Sequence, residues 1–299
     1  MSVSKSWVNG VIARLSGVRM QLAHYRRYGR LVIGASIVLA VLTAASFSEW
    51  LAPRDPNRVN LIVRLTPPFW EEPGDVSYLL GTDQLGRDVL SRIIYGSRVS
   101  VMVGIFSVMV GGTLGTLLGL ISGYFGGRLD NFIMRLTDIQ LSMPFMLMAL
   151  LVVVLLGPSL ANIVVVFTIT AWHIYARLAR ASTLSIRENQ DIEAARALGA
   201  SDFRILRSHV LPSLVSPLVV IASFEMARII TTEAALGFLG LGVPPPQASW
   251  GSMLSDGREY MQDAWWIATL PGLALMITVL GINLVGDSLR DLFDPKLQV

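Results

Sequence analysis

Three ionisable residues lie where charge is expensive. Glu225, Arg228 and Glu233 fall inside an apolar run from about Ser213 to Leu241. A charge at the bilayer centre costs ~2.5–3.5 kcal/mol on insertion scales, so such groups face protein or a water-filled cavity. Glu225 and Arg228 are three residues apart, the spacing at which side chains meet on one helix face. Two chemistries fit: an ion pair at a packing interface, or a polar lining that attracts a cationic or ammonium-bearing solute. A relay of protons through Glu225 or Glu233 is a third.

A second constellation is polar and helix-breaking. Glu193, Ala194, Ala195, Ala197 and Leu198 read as a short helix of tolerable or strong helix formers. Gly199 stands where a helix stop needs positive φ. Ser201 or Asp202 is placed to cap a second short helix, and Leu211-Pro212 marks the entry to the next apolar span. Two short helices with a break form a surface on which another protein can dock.

Other chemistry is excluded. The 299 residues contain no cysteine, so there is no thiolate nucleophile, disulfide or thiolate metal site. Lys5 and Lys296 are the only lysines, and neither lies in a Gly-x-x-x-x-Gly-Lys phosphate loop. If ATP drives this protein, another chain hydrolyses it. His173 stands alone near a span end and reads as an interface residue, since metal sites want several ligands. A net charge of +3, scattered over loops, gives no nucleic-acid surface. With 53% hydrophobic and 15% charged residues, the chain is an integral membrane protein.

The elements that position these groups are apolar spans. Residues 1–30 are a basic tail carrying Lys5, Arg14, Arg19, Arg26, Arg27 and Arg30. The first span is Leu31 to Trp50, long enough to cross ~30 Å of hydrocarbon. Its basic flank and apolar core are too long for a cleaved signal peptide. Residues 51–98 form a polar loop on the far side; in it Asp83 is expected to cap a short amphipathic helix with Leu85, Val89 and Ile93 on one face, lying on the outer surface.

Residues 99–288 hold five further spans. Val99 to Ile121 carries Gly111, Gly115, Gly119 and Gly123 on one face, the spacing that lets two helices approach closely in lipid. After a turn at 123–130 the third span begins at Met134-Arg135 and Asp138 and runs to about Leu156, kinked at Pro144. The fourth runs from Leu160 to Tyr175, the fifth from Ser213 to Leu241, the last from Ile267 to Val285, with Trp265 and Trp266 at an interface. Arg177, Arg180, Arg187, Arg196, Arg204 and Arg207 place the loop 178–212 in the cytoplasm by the positive-inside rule. Six spans with a cytoplasmic tail at each end (1–30 and 289–299) follow.

The order Glu193-Ala194-Ala195, Gly199, Leu211-Pro212 resembles the EAA loop of ABC importer permeases, with His209 where that family often has an apolar residue. Gly81-Thr82-Asp83, Gly86-Arg87-Asp88 and Ser91-Arg92 resemble the longer signature of C-type permeases for dipeptides, oligopeptides and nickel. So do Ala235 to Gly242, Pro244-Pro245-Pro246, Trp250 to Leu254, and Asn283 to Pro295. The resemblance covers about residues 30 to 297. It implies an all-α type I importer permease fold in a bacterial inner membrane, and import rather than export. It implies a heterodimer with a B-type permease, and two cytoplasmic ATPase subunits, or one fused pair, docked on the EAA loops. It also implies a solute-binding protein outside. ATP and magnesium would belong to the ATPases, and this chain would hold no cofactor, no metal and no catalytic residue. Di- or oligopeptides are the expected cargo; nickel complexes, glutathione or another small polar solute are alternatives, and a proton-coupled carrier using Glu225 or Glu233 is the rival from another class.

Overall fold

The computed structural model describes residues 28–293. Most of the basic tail and the last six residues, including Asp294-Pro295, lie outside the described residues. Among the described residues the regular structure is helical, with one isolated antiparallel bridge between Thr82 and Asp88.

Helix α1 spans Tyr28–Ser46. It ends four residues earlier than expected, because the chain turns at Phe47 before a short α2, Ser48–Leu51. Residues 52–88 then form an irregular cap. The amphipathic helix expected to lie apart on the outer surface is not separate. It is the first part of α3, Val89–Phe125, one unbroken helix of 37 residues. At 1.5 Å per residue that is about 55 Å, nearly twice the ~30 Å hydrocarbon layer, so its first turns stand beyond the span. Asp88, not Asp83, caps it, accepting from the Ser91 amide at 2.8 Å. No proline lies between the capped turn and the apolar segment, and the one glycine there, Gly96, keeps helical backbone against Trp250, so nothing stops the helix at residue 98.

The chain reverses at Gly126 into α4, Gly127–Ser142, then α5, Phe145–Leu156. The kink expected at Pro144 is a full break: α4 and α5 meet at 88°. Proline removes a backbone donor and pushes the residue before it out of the helical region. Met143 accordingly sits at φ −93°, ψ 123°. The 12 residues of α5 reach about 18 Å and cannot cross alone. Among the described residues five helices are long and apolar enough to cross, and the bent pair makes a sixth span if taken as one.

Helix α6, Leu160–Ile186, runs a further 11 residues past Tyr175. It lies along α3, the most extensive pairing in the molecule. The glycine face makes this possible. A Cβ on Gly115 would sit 2.1 Å from the Trp172 carbonyl oxygen, and one on Gly119 2.3 Å from that of Ala176. A short α7, Gln190–Ala197, follows, then α8, Asp202–Ile205, a π-helical turn at Leu206–Val210, and α9, Leu211–Phe238. Leu211-Pro212 opens α9 as expected, but without a break: the helix runs on from Asp202, and Pro212 lies two residues beyond the π-helical turn, where the shifted hydrogen-bond ladder tolerates a residue without an N–H. Helix α10, Trp250–Arg258, is closed by a Ser249/Ser252 capping box. Finally α11, Trp266–Phe293, returns across the molecule. Arg30 meets Asp291 at 3.3 Å, so the start of α1 and the end of α11 lie on one side. Following the chain, the α6–α7–α8 loop lies on that same side.

Candidate functional site

The loop Arg187–Pro212 is built from caps and two buried anchors. Asp191 and Glu193 occupy the first turn of α7 and Arg196 the last, each sign matching the helix dipole. Its end is a Schellman motif: the Ala200 amide donates to Ala195 O and the Gly199 amide to Arg196 O, both at 3.0 Å. Gly199 takes φ +83°, as the sequence predicts, and nothing lies within 4 Å of where its Cβ would be. The backbone conformation, not crowding, selects glycine there. Ser201, rather than Asp202, caps α8 by accepting from the Arg204 amide.

Ile192 and Ile205 plug the two halves into a cluster with Leu120, Tyr124, Ala179, Val210 and Leu214. What remains faces outward. Glu193, Ala194, Gly199, Leu211 and Pro212 are exposed, and Ala195 is half-buried. Two large apolar residues stand out: Leu198, which the sequence offered only as a helix former, is 89% exposed, and Phe203, which sequence reasoning passed over, is 72% exposed. They flank the Gly199 break on the cytoplasmic side. Their position directly beside a helix stop was the available signal. His209 is exposed within the π turn.

The fifth-span charges divide into two places. Glu225 and Arg228 pair on one face of α9, with Arg228 Nη2 to Glu225 Oε2 at 2.6 Å and Nε to both carboxylate oxygens at 3.0 Å. The Glu225 side chain is buried and that of Arg228 is 38% exposed, so the pair opens at the guanidinium end. Glu233 is apart from them, fully buried, and receives the Ser100 hydroxyl of α3 on Oε2 at 3.0 Å. His173 is half-buried. Among the described residues no three His, Asp or Glu side chains form a group able to hold a metal.

On the opposite side the Gly81–Arg92 signature has become a charge cluster. Asp83 accepts from the Leu85 and Arg87 amides at 2.9 Å and from Arg87 Nε at 2.6 Å. Arg92 lies 3.6 Å from Asp83 and 3.8 Å from Asp256 of α10, and Arg87 lies 3.4 Å from Asp256. Trp266 Nε1 donates to Thr82 O and Trp250 Nε1 to Ile93 O, each at 3.0 Å. The cap, α3 and α10 are thereby one unit.

A helical span bundle carrying a docking-shaped loop on one face is the arrangement of a transport subunit. The model of the family described as binding-protein-dependent transport system inner membrane component matches residues 115–299. The chain belongs to this family. The permease is 44% identical over 265 residues to the di/tripeptide transport system permease protein DppC of Pseudomonas aeruginosa (strain UCBPP-PA14), covering 89% of this chain and 88% of that one. It is 45% identical over 276 residues to the dipeptide transport system permease protein DppC of Escherichia coli (strain K12), covering 92% of each. It is 41% identical over 265 residues to the probable D,D-dipeptide transport system permease protein DdpC of the same strain, covering 89% of this chain and 87% of the relative. In fold it is similar to an inward-facing MetNI methionine ABC transporter chain, with a TM-score of 0.56 and 22% identity over 68% of this chain and 96% of that one. The permease is thus a multi-pass inner-membrane subunit with the type I importer fold, working with ATPase and binding-protein partners. ATP hydrolysis belongs to a separate subunit.

Proposed function

We propose that this permease forms half of the path of an ATP-driven importer of di- or oligopeptides, and that the loop 178–212 is where it engages an ATPase subunit. The observation that carries the reading is the pair Leu198 and Phe203, 89% and 72% exposed on a loop that buries Ile192, Ile205 and Val210 and leaves Leu211 only 38% exposed. Large apolar groups presented beside a helix stop are anchors for a partner groove. Glu193, Ala194, Ala195, Gly199, Leu211 and Pro212 hold that presentation. The other half of the path is a homologous B-type permease, the ATPases bind ATP and magnesium, and a solute-binding protein delivers cargo outside.

Peptide cargo is supported by the curated relatives, whose names are those of dipeptide and di/tripeptide permeases. Glu225, whose partner Arg228 is 38% exposed, suits a path-lining or interface role better than a proton relay, and Glu233 is fully buried and apart from it. One is held by Arg228 and the other by Ser100, on different stretches of α9. E225Q and E233Q are expected to lower uptake while leaving assembly intact; unchanged uptake in both removes them from the path.

The test uses the whole transporter, purified with its partner subunits and reconstituted in liposomes. Leu198→Asp with Phe203→Asp is expected to release the ATPase and abolish uptake of a labelled dipeptide, while the permease pair stays folded. Retained ATPase and normal uptake would overturn the docking assignment. Failure of unlabelled di- and tripeptides to compete, with competition by glutathione or a nickel chelate, would overturn the cargo. Uptake that persists without ATP and collapses under a protonophore would overturn ATP drive altogether.

A further inference from the structure

The Gly199 break does not by itself fix the angle between α7 and α8. The glycine has open space around it, and left-handed backbone alone defines a turn, not a rigid joint. One side chain from elsewhere in the chain touches both halves. Tyr124, the penultimate residue of α3, is buried at 9% exposure in the cluster that receives Ile192 and Ile205. Its hydroxyl donates to Asp202 Oδ1 of α8 at 2.6 Å and accepts from Arg196 Nη2 of α7 at 3.3 Å. The Arg196 guanidinium also lies 5.9 Å from the ring centroid, within the range of a cation–π contact. A phenol is suited to this place because it donates and accepts at once, here toward a carboxylate and from a guanidinium.

The same end of α3 is bound to its other neighbours. Arg187 Nη1 donates to Gly123 O at 3.0 Å, and Ser122 Oγ meets Asp130 Oδ1 at 2.5 Å. Asp130 in turn takes Arg180 in a two-point pair at 2.5 and 2.7 Å. The last turn of α3 is therefore joined to α4, α6, α7 and α8 together. From there α3 runs unbroken to the buried charge cluster on the far side of the molecule.

We infer that Tyr124 is the positioning residue that locks the two halves of the coupling loop to the end of α3, so that displacement of the loop by the ATPase moves α3 rather than bending the Gly199 joint. The inference rests on the docking reading above. It assigns to the hydroxyl the conversion of ATPase motion into permease motion, and to the ring a packing role.

The test is Tyr124→Phe in the complete transporter, with its partner subunits, in liposomes. Three quantities are read: ATPase retained through purification, ATP hydrolysed, and labelled dipeptide imported. The expected result is retained ATPase, with ATP consumed per peptide raised about fivefold, a coupling change of the usual allosteric size. Arg196→Ala and Asp202→Ala should each raise the ratio as well, and neither should raise it further in the Y124F background, since all three remove one joint. A wild-type ratio in Y124F, or uptake and hydrolysis that fall in parallel, overturns the inference while leaving docking intact. Loss of ATPase from neither Y124F nor the Leu198 and Phe203 variants, with normal uptake in all, overturns docking itself. Should Y124F fail to assemble, Asp202→Ala alone keeps the ring, removes the acceptor and reads the same ratio: a wild-type value there overturns the inference.

Discussion

The two ends of α3 handle charge in opposite ways. At the outer end Asp83, Arg87, Arg92 and Asp256 converge, and Asp83 and Arg92 have side chains only 3% exposed. Each cation has two carboxylate neighbours and each carboxylate two cations. At the inner end Asp130 and Arg180 pair beside the last turn of α3, but the charges of the docking loop itself, Glu193, Arg196, Asp202 and Arg204, are exposed, and they hold helix ends or a single phenol. Buried charge that is fully paired fixes a geometry, because removing any partner strands another. Exposed charge fixes little on its own but leaves the surface open to a partner. The outer end is thus built to stay as it is, and the inner end to be grasped.

Substitutions at the outer cluster should therefore have the largest effect on folding. Asp83→Ala leaves Arg87 and Arg92 sharing Asp256 and removes the acceptor of two backbone amides. A loss of about 3–5 kcal/mol is expected, seen as a collapse in the yield and thermal midpoint of the detergent-purified complex. A loss below about 1 kcal/mol would put the cluster in the class of surface ion pairs and erase the contrast.

At the inner end the effects on stability should be smaller and those on function larger. Gly199→Ala forces a Cβ into left-handed backbone at about 1–2 kcal/mol, in a segment that can fray without unfolding the spans. Protease sensitivity confined to the loop 187–212 checks it. Ser201→Ala removes the α8 cap at about 1 kcal/mol, read in the same way. Leu198→Asp should change the thermal midpoint of the permease by less than about 0.5 kcal/mol equivalent and yet abolish ATPase retention. If instead it destabilised the permease as much as D83A, Leu198 would be a packing residue and the comparison would fail.

Much of this was legible before any coordinates. The glycines of α3, the positive φ at Gly199 and the Glu225–Arg228 pair each depend on local spacing, which one stretch of sequence contains. What escaped depends on distance. Asp256 lies 169 residues from Arg87, and Tyr124 lies 72 and 78 residues from its partners, so no periodicity links them. The continuity of α3 escaped for another reason. The polar signature Ser91-Arg92…Arg98 reads as a surface segment, but its charged members are drawn into the cap by tertiary pairing, or, for Arg98, toward Glu49 at 3.3 Å, and the helix simply continues. Pro144 shows the reverse. A proline within an apolar run allows a kink or a break, and the extended Met143 before it decides for the break.

Because the chain contains no cysteine, a single introduced thiol is unique in it. The most direct test of the central claim places one at Leu198 and, separately, one at Val76, an exposed apolar residue of the outer cap. A short bifunctional thiol–amine crosslinker is then applied to membranes containing the whole transporter. The account predicts that Leu198→Cys links to the ATPase subunit and resists a membrane-impermeant thiol reagent added from outside, while Val76→Cys reacts with that reagent and never captures the ATPase. Capture of the ATPase from position 76, or labelling of position 198 from outside, would contradict it.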